Sequence, residues 1–275
     1  PDKYQALCGL LLSGRHATSV SARQLASLRG KLLHYGACVH FLHVIAPFFS
    51  LLIGDEGADT KAHSRLIEWD RLLPISVEYL NVLDFTATAL SVFAPLGVPL
   101  WPPVPSSLFG AFLRGDSVAE NLLVITYDAS VHGWGALMST HPDIIPIQVV
   151  DSFLPHESRP WRFLSASTFR CEAMDQVHRE SFAGILALET AARHFPLDRY
   201  TILLRGDCAP ALHTLRKGSH QSRLLQHFAL ELASFCLSQR IRPPYFLHAP
   251  GKTLIDEGVD ALSREAMLET TRVQS

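Results

Sequence analysis

With 275 residues, 48% of them apolar and 18% charged, this chain can build a sizeable core and has the length of one large domain or two ordinary ones. Those proportions exclude intrinsic disorder for the chain as a whole. A formal net charge of −2 argues against a protein that coats nucleic acid with its entire surface, though a local patch can still grip a phosphate backbone. Five cysteines (Cys8, Cys38, Cys171, Cys208 and Cys236) are scattered and never spaced as CxxC. That pattern predicts reduced thiols in a cytoplasmic or nuclear protein rather than a structural zinc site. The chain opens on Pro1 with no basic-then-apolar leader after it, as expected of a segment of a longer polypeptide.

The first third reads as helical. Ser21 can cap the run ARQLASLRGKLLHYGACVHFLHVIA, whose apolar residues recur at spacings of three and four. Residues 36–54 are nearly long enough to span a bilayer. They carry His40, His43 and Pro47 and lack an aromatic belt, so they read as a buried helix and no membrane association is expected. Further helices are expected over 63–73 and 76–93. Residues 95–121 then hold five of the seventeen prolines, which favour extended or turning backbone. This divides the chain into a mainly helical region (1–94), a proline-rich linker (95–120) and a second domain (121–275).

After the prolines the rhythm changes. Three short apolar runs, 122–127 (LLVITY), 133–138 (GWGALM) and 144–150 (IIPIQVV), read as strands joined by tight turns. Residues 176–195 form a strong amphipathic helix, 200–204 a fourth strand, 210–215 and 224–237 two more helices. Residues 241–247 are a fifth strand, short or at an edge because Pro243 and Pro244 cannot donate ladder bonds. A helix over 255–268 closes the chain. This order predicts an α/β domain, a mixed five-stranded sheet covered by helices.

Four acids occupy positions that can converge. Asp128 lies at the end of the first strand, Glu180 near the start of the long helix, Asp207 directly after the fourth strand, and Asp260 at the opening of the last helix. Carboxylates brought together repel one another, and a divalent cation removes that cost. Hydrolysis of a phosphodiester with two metal ions needs such a set around ions about 3.5–4 Å apart. Spacing alone leaves Glu172 and Glu189 as alternatives to Glu180, and Asp256 and Glu257 as rivals of Asp260.

The phrases YDASVHGWGA, RESFAGILAL, RGDCAPALHTLRKGS and HAPGKTLIDEGVDALSR, in that order, resemble the ribonuclease H domain of retroelement reverse transcriptases, DIRS-type and more loosely gypsy-like. The resemblance covers about residues 121–266. SARQLASLRGKL and the helical stretch after it resemble the thumb and connection region that precedes such domains. The resemblance implies a ribonuclease-H-like fold and a magnesium-dependent endonuclease (two ions, Mn²⁺ an alternative) acting on the RNA strand of RNA–DNA hybrids. It also implies a polymerase domain in the same polyprotein. Its metal ligands fall on Asp128, Glu180, Asp207 and Asp260, and its helper histidine for product release or leaving-group protonation falls on His248. Two departures stand out: Cys208 follows the third acid where Asn is common, and the loop in GKTLIDEGVD is long. Arg159, Trp161, Arg162, Arg170 and Arg179 flank the helix of Glu180 and are candidate hybrid contacts, as is the basic turn at 216–220. No strand-turn-strand aspartate pair of a polymerase palm occurs. The competing expectation is a catalytically silent hybrid-binding or connection module of a polymerase or domesticated host protein.

Overall fold

The computed structural model describes residues 2–14, 16–36, 40–55, 69–93, 105–116, 121–131, 133–157, 163, 173–218 and 222–265. The chain divides into two compact units, Pro1–Trp101 with Lys217–Ser234, and Pro102–Arg216 with Phe235–Ser275.

The first unit is built from α1 (Asp2–Gly14), β1 (Ser19–Ser21), α2 (Ala22–Gly36), α3 (His40–Asp55), β2 (Leu72–Pro74), α4 (Val77–Phe93) and most of α9 (Arg223–Ser238). Ser21 caps α2: its Oγ accepts from the Gln24 N–H at 3.2 Å, while Gln24 Oε1 accepts from the Ser21 N–H at 2.9 Å. The reciprocal pair satisfies two amides that a helix start would otherwise leave unbonded. Leu25, Leu28 and Leu32 turn inward from α2, and α3 buries Phe41, Leu42, Val44, Ile45, Phe48 and Phe49. No described helix is long and apolar enough to cross a membrane.

The helix expected over 63–73 is corrected where it is described. Leu72–Pro74 is a strand paired antiparallel with Ser19–Ser21, and Trp69 and Asp70 form a turn. Pro74 disfavours the helical region for the residue before it, and Asp70 is drawn to Arg23 at 2.9 Å. Residues 63–68 lie outside the described set.

His227, on α9, is 1% exposed, and neither of its ring nitrogens has a hydrogen-bond partner. Phe48 meets it edge-on, with ring centroids 5.6 Å apart. Burial, with Arg223 nearby adding to it, lowers the imidazole pKa to about 4. The unfolded chain therefore binds a proton that the folded one refuses between pH 6.5 and 4. Stability from this residue is intact above that window and falls by up to about 3 kcal/mol across it. Thermal midpoints of the parent and His227→Leu, taken from pH 7 to pH 4.5, should diverge as pH falls, with the variant the less acid-sensitive. Parallel curves would refute this.

The second unit carries a five-stranded sheet. In chain order its strands are β3 (Leu122–Ala129), β4 (Gly133–Ser139), β5 (Ile147–Ser152), β6 (Thr201–Gly206) and β7 (Tyr245–His248), and their spatial order is β5-β4-β3-β6-β7. The first three form an antiparallel meander, while β3–β6 and β6–β7 are parallel. All eight residues of β3, the central strand, are buried. β5 begins only after Pro146, and β7 only after Pro243 and Pro244, because a proline cannot donate to a ladder. Helix α7 (Gln176–His194) packs on β3, capped by Asp175, whose side chain accepts from the His178 N–H. A short helix α6 (Leu154–Glu157) follows β5, and α8 (Ala209–Lys217) follows β6. This is the architecture expected from the sequence: a mixed five-stranded sheet flanked by helices, preceded by a mainly helical region.

Two elements differ from expectation. Within the proline-rich stretch stands α5 (Pro105–Leu113), which begins on a proline, the residue best tolerated at a first helical position. Ala111 and Phe112 of α5 share a core with Leu122, Val124 and Leu203 of the sheet, and that burial favours helix there. The closing helix expected over 255–268 is two helices, α10 (Gly251–Asp256) and α11 (259–265), separated by a turn in which Gly258 adopts φ +83°. That left-handed conformation costs glycine nothing. Gly135 of β4 receives α11: a Cβ there would lie 2.5 Å from Leu262 Cβ and 2.6 Å from the Ser263 amide nitrogen, so any other residue would push the helix away.

Candidate metal centre

Strand pairing places the first and third acids together. Thr126 of β3 lies opposite Arg205 of β6, so two residues further along both parallel strands Asp128 comes level with Asp207. Glu180 arrives from above on α7. Its depth is set by Tyr127, whose ring fills the spaces left by Gly184 and Gly206; a Cβ at those positions would lie 2.9 and 3.2 Å from it. One carboxylate oxygen each of Asp128, Glu180 and Asp207 lies within 4.8 Å of the others. Asp128 is 7% exposed and Glu180 fully buried.

Asp260 is brought near but not into this trio. It sits on α11, half-buried, with Oδ1 held by Arg264 at 2.8 Å. It is close enough that its charge, like that of Asp207, helps raise the Asp128 carboxyl pKa, for which burial is the larger cause. Of its rivals, Glu257 is engaged by Arg205 and Asp256 is exposed. Of the alternatives to Glu180, Glu189 is outside the trio and Glu172 outside the described residues.

The surrounding hydrogen bonds are asymmetric. Glu180 Oε1 accepts from Gln176 Nε2 at 2.7 Å and from the Ala129 N–H at 3.3 Å, whereas Glu180 Oε2 is buried with no partner. Gln176 is itself fixed, because Nε2 also donates to the Ala129 carbonyl at 2.9 Å and Oε1 accepts from Arg179 at 3.1 Å. Ser263 donates to Asp128 Oδ2 at 2.6 Å. Burial pushes the Glu180 carboxyl well above the usual carboxylate range, the charges of Asp128 and Asp207 push it further, and the Gln176 and Ala129 bonds offset part of this. An unsatisfied carboxylate oxygen inside a repulsive set of oxygens suits a hard divalent cation, which would satisfy the oxygen and cancel the repulsion together. Asp128, Glu180 and Asp207 could hold such an ion.

His248 ends β7 at the rim of the trio. It is exposed, with Nε2 2.9 Å from the Asp207 carbonyl oxygen. Cys208 is half-buried, and its thiol pKa is raised chiefly by burial. Arg179 is committed to Gln176 and to the Met174 carbonyl. Arg159, Trp161, Arg162, Arg170 and His220 lie outside the described residues. Sequence reading missed Gln176 and Ser263. Gln176 precedes Glu180 by four residues, and Ser263 follows Asp260 by three. Those are same-face helical spacings, so a search for polar neighbours of each acid would have found both.

No protein-family model and no curated protein matches this chain. Among solved structures, the chain is similar to RNase H1 from the halophilic archaeon Halobacterium salinarum NRC-1, with a TM-score of 0.38 and 20% identity over 54% of this chain and 98% of that one.

Proposed function

We propose that this chain contains a metal-dependent ribonuclease H that hydrolyses the RNA strand of RNA–DNA hybrids, as part of a retroelement reverse transcriptase polyprotein acting inside the cell. One observation carries the reading: three carboxylates from β3, α7 and the end of β6 converge in a largely buried position, with one oxygen of Glu180 unsatisfied. Divalent cations, Mg²⁺ or Mn²⁺, held by Asp128, Glu180 and Asp207 with Asp260 completing the set, would activate water and stabilise the departing 3′ oxygen.

The protein's own groups prepare that chemistry. Gln176 and the Ala129 amide hold Glu180 Oε1 and leave Oε2 without a protein donor, free to take a cation. Ser263 fixes one oxygen of Asp128 and leaves the other available. His248, exposed and with Nε2 2.9 Å from the Asp207 carbonyl oxygen, would deliver a proton to the leaving oxygen or speed product departure. The region before residue 95 would serve as thumb and connection, with 121–275 as the nuclease domain and a polymerase domain of the same polyprotein as its partner.

Incubation with labelled RNA–DNA hybrid and Mg²⁺ tests the reading. The parent should yield 5′-phosphate and 3′-hydroxyl RNA ends and leave an all-DNA duplex intact. Asp128→Asn and Asp207→Asn should each lose at least about 100-fold in rate, the several kcal/mol a catalytic cation contributes. No cleavage by the parent, or equal cleavage by all three, would overturn it.

A further inference from the structure

We infer that Arg205 and Glu257 are positioning residues of the candidate metal centre: the ion pair between the buried guanidinium and the partly exposed carboxylate sets the placement of Asp260 against Asp128 and Asp207. The inference rests on the nuclease reading and adds to it two residues that touch neither metal nor substrate.

Arg205 lies on β6 two residues before Asp207, and Glu257 lies in the α10–α11 turn three residues before Asp260. Both terminal nitrogens of the guanidinium meet both carboxylate oxygens, at 3.1 and 3.2 Å. The nitrogen on Glu257 Oε2 also donates to Thr126 Oγ1 at 3.1 Å, and Thr126 is two residues before Asp128 on β3. One planar cation therefore joins the three chain segments that deliver Asp128, Asp207 and Asp260. The Arg205 side chain is 6% exposed, and the ring of Phe109 on α5 covers it with its centroid 4.1 Å from the guanidinium carbon. The guanidinium is thus largely shielded from water while the Glu257 side chain stays 35% exposed, and the charge-assisted bidentate bonds between them are directional.

The remaining contacts of α11 carry this placement to the site. Leu262 and Ser263 press on Gly135, and Ser263 donates to Asp128. α10 and α11 meet at Gly258, whose φ of +83° is a conformation that any tether on the neighbouring residue constrains. A burial requirement at position 205 alone would be met by an apolar side chain, and an ion pair is weak support for stability by comparison with one. A fork that reaches three acid-bearing segments at once is explained by the geometry it imposes. Lysine, a point charge with no fork, cannot reproduce it.

The test compares the parent, Arg205→Lys and the double variant Arg205→Met/Glu257→Met in the full chain. Mg²⁺ binding is measured by calorimetry without nucleic acid, Mg²⁺ dependence by hybrid cleavage, and folding by circular dichroism and thermal midpoint. The double variant should keep a near-parental midpoint, because methionine fills the volume that Arg205 buries and Glu257 is already partly exposed. Both variants should need about 10-fold more Mg²⁺ for half-saturation and for half-maximal cleavage, the scale found for partners behind metal ligands. Folded variants with Mg²⁺ half-saturation within twofold of the parent, where the parent binds and cleaves, overturn the positioning role and leave the nuclease reading standing. A parent that neither binds Mg²⁺ nor cleaves takes both down.

Discussion

Glu180→Gln is expected to unfold at a higher temperature than the parent in the presence of EDTA, and to cleave hybrid at less than about a hundredth of the parent rate with Mg²⁺. Both effects come from the same carboxylate. Glu180 Oε2 is buried without a partner, and one oxygen of this carboxylate lies within 4.8 Å of an oxygen of Asp128 and of Asp207. An unsatisfied buried polar group costs about 1–3 kcal/mol, and more if charged. Glutamine can keep its oxygen where Oε1 is, accepting from Gln176 and Ala129, and turn its amide toward Asp128 and Asp207 as a donor. The metal-free site then changes from repulsive to hydrogen-bonded. A gain of that size corresponds to roughly 2–10 °C for a domain of this length. The same amide cannot serve as an anionic metal ligand, so activity goes. Differential scanning fluorimetry in EDTA, beside a cleavage assay, checks the pair. A variant less stable than the parent, or one still active, would contradict the account.

Mg²⁺ should do for the parent what glutamine does for the variant. At a hundredfold excess over its dissociation constant, a ligand specific to the folded state adds about 2.7 kcal/mol. The midpoint should therefore rise by roughly 5–10 °C, and by much less in Asp128→Asn or Glu180→Gln. The effect has a definite sign with pH. Burial and mutual repulsion raise the Asp128 and Glu180 carboxyls in the folded state, so the metal-free fold holds protons that the unfolded chain releases. The stability these groups contribute without metal is therefore highest below the ordinary carboxylate range, and it declines as pH rises toward the elevated folded values. Mg²⁺ needs the deprotonated acids, so its stabilising increment should grow over the same interval. Thermal midpoints at several pH values, with EDTA and with Mg²⁺, should diverge as pH increases. Curves that stay parallel would mean the acids do not share a cation.

Sequence patterning located most of the scaffold of this site. Short apolar runs marked the strands, and a broad apolar face over residues 176–195 marked α7. The prolines before β7 correctly marked a short strand, since a missing amide is a local property. The four acids could be placed on their elements because each stands beside a strong pattern. Errors arose where a distant partner overrode local preference. Residues 72–74 pair with β1 instead of continuing a helix, and 105–113 turn helical because the sheet offers Phe112 and Ala111 a place to be buried.

Which acids meet was a different matter. Strand register is a long-range quantity, and only the pairing of Thr126 with Arg205 makes Asp128 and Asp207 neighbours. Nothing local separates Asp260 from Glu257, two acids three residues apart. The difference is that Arg205, some fifty residues earlier, neutralises one of them, while α11, seated on Gly135, carries the other toward Asp128. Residue order was enough to settle which segments become strands and helices and which acids they carry, because backbone preference and hydrophobic periodicity act over a few residues. The distances between those acids, their raised proton affinity and the unsatisfied oxygen of Glu180 arise from burial and charge proximity, which exist only once remote segments have packed.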